Sequence, residues 1–139
     1  MTVDNRGVVS WALDTRIDRD PVKGVVKISQ CNYTKALIAD CQMQEAKGVD
    51  TPIVPGFTIE ESDLPSSPDD VKQVSELPFR EVIGRLWWLA LVSRPDILLV
   101  THIASTWQSR PSLKLWVLLM RCVAYDLPIR WVRSLYLQW

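Results

Sequence analysis

The sequence predicts an α+β fold that is mostly α: a short N-terminal β-hairpin, one helix, a long acidic loop, then a three-helix antiparallel bundle. Three observations predict it. Apolar residues recur at every second position before residue 29 and at helical spacing after it. Periodicity then vanishes between residues 50 and 77, where Pro52, Pro55, Gly56, Pro65 and Pro68 gather with Glu60, Glu61, Asp63, Asp69 and Asp70. It returns after Pro78 in three successive stretches, the later two each opened by a proline.

In chain order, residues 1–9 read as a disordered start, and residues 10–49 as a β-hairpin followed by a helix. Trp11, Leu13, Thr15 and Ile17 alternate with Ala12, Asp14, Arg16 and Asp18, the pattern of a half-buried strand. Gly24 to Ile28 supplies its partner, and Pro21 and Gly24 suit the turn between them. Tyr33, Leu37 and Cys41 fall on one helical face, with Ser29 or Asn32 available as N-cap and Gly48 as a left-handed stop. Residues 50–77 form an acidic, Pro-rich linker whose composition predicts that most of it stays mobile.

Residues 78–127 carry the bundle. Val82, Ile83, Leu86, Trp87 and Ala90 nearly encircle its first helix, which predicts a central position. Ser93 can cap the second helix, with Asp96 completing a capping box and Pro95 in the first turn; Val100, Ile103, Ala104 and Trp107 form its stripe. Leu113, Trp116, Val117, Met120, Val123 and Ala124 mark the third, which Pro128 ends. Residues 128–139 are an atypical tail.

The chain is 47% hydrophobic and 23% charged, enough apolar surface to collapse. Its formal net charge is zero but segregated. Residues 59–77 hold one basic and six acidic groups, a net of −5, and residues 78–139 hold eight basic and three acidic, a net of +5. A basic face of that size is compatible with a polyanion and equally with an ordinary solvated surface. Trp87, Trp107 and their stripes read as core, whereas Trp88 and Trp116 are candidates for surface stacking.

Most site chemistries are excluded. Cys31, Cys41 and Cys122 lack metal-ligand spacing, and His102 is the one histidine. The five glycines are scattered singly, so no phosphate loop is present, and no Gly-x-Ser-x-Gly turn exists. Asp69-Asp70 is the one adjacent aspartate pair, set in a polar stretch that reads as a solvated loop or a helix N-terminus rather than a metal site. No catalytic, cofactor-binding or metal-binding residue is therefore expected. The first residues have no apolar core of a signal peptide, and the run Leu86 to Val92 is too short to span a bilayer. An intracellular location, cytoplasmic or nuclear, without membrane contact is expected.

An ordered set of short strings carries more information. Ile28-Ser29-Gln30 with Tyr33, then Met43 and Thr51-Pro52, form the first block. Pro78-Phe79-Arg80 with Ile83-Gly84-Arg85-Leu86-Trp87-Trp88-Leu89-Ala90, then Ser93-Arg94-Pro95-Asp96-Ile97, then Pro111, Trp116, Arg121 and Tyr125, form the second. Their order, with an acidic loop between the blocks, resembles copia-type long-terminal-repeat retrotransposon Pol polyproteins over roughly residues 11 to 127. The resembling segment lies after the polymerase active site of the reverse transcriptase and before ribonuclease H.

The resemblance implies the end of a palm, with a hairpin near the primer grip, and then a helical thumb. It implies a non-catalytic fragment, not an enzyme as an isolated chain, of an RNA-directed DNA polymerase that would help hold an RNA–DNA or DNA duplex within the full polyprotein. The parent polymerase would use magnesium; this chain lacks the family's Tyr-x-Asp-Asp turn. The transferable positions are Leu13, Gln30, Tyr33, Arg80, Gly84, Arg94, Pro95 and Asp96. The nucleic-acid contacts expected are Gln30, Tyr33, Arg80, Arg85, Arg94, Arg110 and Arg121, although Arg94 with Asp96 also reads as a purely structural ion pair. Leu13-Asp14 where the family has Leu-Gly, Leu115 where it has His, and Asp126-Leu127-Pro128 after Tyr125 are departures that mark a degenerate element. The alternatives are a small helical protein-interaction module and a remnant reading frame without function.

Overall fold

The computed structural model describes residues 9–126 and 135–138. Apart from Val9 and residues 135–138, the expected disordered start and atypical tail lie outside the described residues. The fold is mixed and mostly helical, as the sequence predicts. One antiparallel sheet contains β1 (Trp11–Ala12), β2 (Thr15–Asp20), β3 (Val25–Ser29) and β4 (Leu135–Gln138) in sequential order. The helices are α1 (Cys31–Asp40), α2 (Pro68–Ser75), α3 (Phe79–Val92), α4 (Leu98–Trp107) and α5 (Leu113–Asp126). No helix among the described residues is long and apolar enough to cross a membrane.

The alternation over residues 11–17 belongs to two strands, not one. Ala12 faces Thr15 across a two-residue turn, and Leu13 (φ 50) and Asp14 (φ 59) both adopt left-handed backbone. Two consecutive positive φ values give the turn whose twist matches a hairpin, a geometry that glycine adopts without penalty. The second turn runs as predicted. Gly24 takes φ 62, and the Asp20 carboxylate accepts from the backbone N–H groups of Val22 and Lys23 at 3.1 and 3.0 Å. β2 and β3 then pair from Asp20↔Val25 to Arg16↔Ser29.

α1 begins after Gln30, with no side-chain cap from Ser29 or Asn32. It ends at Asp40, before the predicted stop at Gly48, because Gln42 supplies the left-handed residue (φ 56). The N–H of Met43 reaches Ile38 O at 3.0 Å and that of Gln42 reaches Ala39 O at 2.9 Å. These two bonds are the Schellman pattern, and Met43 packs against the core beside them.

The acidic linker is more ordered than its composition predicts. α2 lies inside it, opened by a capping box in which Ser67 and Asp70 exchange bonds, with Pro68 in the first turn. Asp69 and Asp70 thus occupy a helix N-terminus. A 3-10 turn at Glu61–Asp63 has a similar reciprocal cap with Glu60. Ile53, Phe57, Ile59 and Leu77 pack on the core, and Val74 is buried. Apolar residues spaced too irregularly to suggest a helix still reach the bundle one at a time, which anchors the segment.

The core is helical. Leu37, Leu86, Leu89, Ile97, Val100, Leu115 and Leu119 are completely buried, each burial worth about 1.5–3 kcal/mol. α1 packs on α3 and α5, so it joins the three predicted bundle helices around one core. Trp116 sits against that core, edge-on to Phe79 at 5.2 Å between ring centres, which removes it as a surface platform. Trp87 and Trp107 pack as the sequence predicts.

Candidate functional site

The family-like strings converge on one buried polar node. Gln30, at the start of α1, is 3% exposed, and its Oε1 accepts from the Ser93 hydroxyl at 2.6 Å. Ser93 follows the last turn of α3, where its own N–H bonds Leu89 O. It therefore ties two segments together instead of capping α4, whose start is a 3-10 turn at Pro95–Ile97 without a side-chain cap. Next to it, the Arg94 guanidinium makes two parallel bonds to Asp96, Nε to Oδ1 and Nη2 to Oδ2, both at 3.0 Å. The same guanidinium lies over the Tyr125 ring at 5.2 Å. Its side chain is 11% exposed, so the fork is screened little by solvent. Gln30 Nε2 is buried with no protein partner, an orphan donor at the centre of the node.

A second charged group joins α1 to α3. Arg85 donates to Asp40 and lies over the Tyr33 ring at 5.4 Å, with Glu81 at 4.0 Å one turn back. Burial works to lower the Arg85 pKa, but Asp40 and Tyr33 outweigh it and hold the guanidinium above its ordinary value. Burial also raises the pKa of the neighbouring Cys41 thiol, and Arg85 opposes that shift. The thiol is thus kept protonated and unreactive.

The third group crosses from the acidic segment to the start of α5. Arg110 makes a fork with Glu61, Nη1 to Oε1 at 2.9 Å and Nη2 to Oε2 at 2.7 Å. Lys114 Nζ meets Asp63 Oδ2 at 2.7 Å and faces the Phe57 ring at 5.7 Å. The bond from Lys114, with the backbone N–H of Glu60, holds the Asp63 carboxyl below its ordinary pKa. The −5 segment therefore lies on the +5 segment, and part of each charge is spent on the other. A cleft of about 310 Å³ opens beside this group, lined by Leu64, Pro65, Val71, Val74, Arg110 and Pro111.

Set against these groups, the seven predicted contact residues divide. Gln30 and Arg94 belong to the node, and Tyr33 and Arg85 to the α1–α3 link. Arg121 donates to Thr51 Oγ1 at 2.9 Å, and its Nε is buried without a partner. Arg110 is exposed but held by Glu61. Arg80, exposed in the first turn of α3, makes no ion pair among the described residues. Sequence reasoning missed Ser93, Asp40, Glu61, Asp63 and Lys114. The opposite net charges of residues 59–77 and 78–139 were the available signal for the last three. Among the described residues no group of three or more His, Cys, Asp or Glu side chains could hold a metal ion.

No family model and no solved structure matches the chain. Over 110 residues, 79% of its length, it is 22% identical to the retrovirus-related Pol polyprotein from transposon TNT 1-94 of Nicotiana tabacum. It spans 8% of the length of that relative. At this distance the likeness supports an origin of the chain in a copia-type retrotransposon Pol polyprotein.

Proposed function

We propose that the chain is a non-catalytic reverse-transcriptase segment, lying after the polymerase active site, that helps hold the template-primer duplex as part of a longer polyprotein. The node carries this reading. Gln30 and Ser93 come from separate family-like strings 63 positions apart and are directly hydrogen-bonded, and the Arg94–Asp96 fork and Tyr125 adjoin them. Strings gathered into one packed junction behave as parts of one inherited unit. In that unit Gln30, Tyr33, Arg85, Arg94 and Arg121 position helices, and the duplex is held by the outward cations Arg80, Arg110 and Lys114. Such contacts address phosphates and sugars, so they would hold a duplex without reading its sequence.

The test is anisotropy of a labelled RNA–DNA duplex titrated with the full chain across a salt series. Affinity that falls linearly with log salt, with a slope of about −2 to −3 for a few neutralised phosphates, is expected. Absence of binding at low salt contradicts the reading. Leu91, Leu99 and Val117, 68%, 58% and 65% exposed, favour a second reading, a helical module that docks a protein. Self-association or partner binding indifferent to salt would support it.

A further inference from the structure

We infer that Glu61 and Asp63 act as a built-in phosphate mimic, occupying Arg110 and Lys114 and setting how tightly the chain can hold a polyanion. The inference rests on the duplex-holding reading and adds to it a device that limits the same surface. The geometry is specific. Glu61 meets the Arg110 guanidinium with two parallel bonds of 2.9 and 2.7 Å, the fork by which arginine also takes a phosphate. Asp63 meets Lys114 at 2.7 Å. Arg110 precedes α5 and Lys114 lies in its first turn, and both are gathered on one 3-10 turn through Glu61 and Asp63, which brings two cations together for neighbouring phosphates.

The carboxylates are delivered by a segment anchored independently of them. Phe57 and Ile59 pack on the core before the turn, and Val74 is buried after it. Removing the charges of Glu61 and Asp63 therefore leaves the segment in place and the two cations unneutralised. A phosphate backbone, with many charges in a row, can outcompete two carboxylates only where screening is low or the polyanion is dense.

The experiment compares duplex affinity, by the anisotropy titration above, for the full chain and three variants, each checked for helical content by circular dichroism. Glu61→Gln with Asp63→Asn keeps size and hydrogen-bonding capacity while adding two units of charge. Asp69→Asn with Glu76→Gln adds the same two units at exposed positions of α2 and its C-cap. The first double variant is expected to bind about three- to tenfold more tightly than the wild type at low salt with a steeper salt slope, and the second less than twofold more tightly. Adding Arg110→Ala and Lys114→Ala to the first should abolish the gain. Salt-dependent binding by the wild type that Glu61→Gln/Asp63→Asn leaves unchanged would overturn the mimic and leave the duplex-holding reading intact. Equal gains in the two double variants, or a gain that survives loss of Arg110 and Lys114, would also overturn it. No binding by any of the proteins overturns the duplex-holding reading itself.

Discussion

Among the described residues two arginine–carboxylate forks lie in opposite surroundings, Arg94–Asp96 closed through Nε and Nη2 and Arg110–Glu61 through Nη1 and Nη2. In the node, the Arg94 and Asp96 side chains are 11% and 26% exposed; at the strap, where the acidic segment lies against Arg110 and Lys114, those of Arg110 and Glu61 are 60% and 69% exposed. Burial decides what each fork can do. A sealed pair holds two helices and a tyrosine in one arrangement, and removing one member leaves a poorly hydrated charge. An exposed pair adds little stability but keeps its cation within reach of another anion. The same chemistry thus serves folding in one region and competition in the other.

The largest effect that separates the regions should follow Asp96→Asn. It takes the carboxylate from a guanidinium nearly closed to solvent and should destabilise the chain by about 2–3 kcal/mol in urea unfolding, somewhat less than a fully buried broken pair because Asp96 is partly open. Next, Ser93→Ala removes the hydroxyl that donates to the Gln30 carboxamide, whose Nε2 is already orphaned, and should cost about 1–2 kcal/mol. Glu61→Gln, the strap counterpart of Asp96→Asn, should cost less than about 1 kcal/mol, with the difference vanishing in high salt. A loss as large as that of Asp96→Asn would erase the contrast.

Acid provides a smaller, graded probe of the strap. Asp63 has a folded pKa below the ordinary 3.8, so the folded state binds fewer protons than the unfolded chain in that window. Its contribution is fully present above 3.8 and is lost as pH falls through the lowered folded value. The Lys114 contact, followed by the carboxyl resonance of Asp63, should therefore persist at pH values where an unpaired aspartate is already half protonated.

How much of this was legible in the sequence follows the range of the interactions. The bundle helices were readable because Leu86 and Val100 sit on the stripes read for α3 and α4 and end up buried, whereas the stripe read for α5 was offset: Leu113 and Val117 are exposed, and Leu115, Leu118 and Leu119 are buried. The hairpin turn at Asp20–Gly24 was readable because proline, aspartate and glycine announce it. The turn at Leu13-Asp14 was not, since two non-glycine residues adopt left-handed backbone there. Asp14→Gly should relieve that strain and stabilise the hairpin by a few tenths of a kcal/mol, about the smallest change a thermal melt resolves. The order within residues 50–77 also escaped detection. Phe57, Ile59 and Val74 are anchors whose partners lie on other helices, and no local period records them. Of the candidate site, the residues were visible but their partners were not. Gln30 and Arg94 stood out through the resemblance, yet nothing local to either reveals that Ser93 hydrogen-bonds Gln30 across 63 positions.

That contact is the most direct test of the claim that the family-like strings form one structural junction. A double-mutant cycle with Gln30→Ala and Ser93→Ala, read by urea unfolding, isolates their interaction from the separate losses of each side chain. The structure predicts a coupling of about 1 kcal/mol, with the double variant less destabilised than the sum of the two singles. Additive effects within about 0.3 kcal/mol would mean that the two strings do not meet in the folded chain, and would contradict the junction.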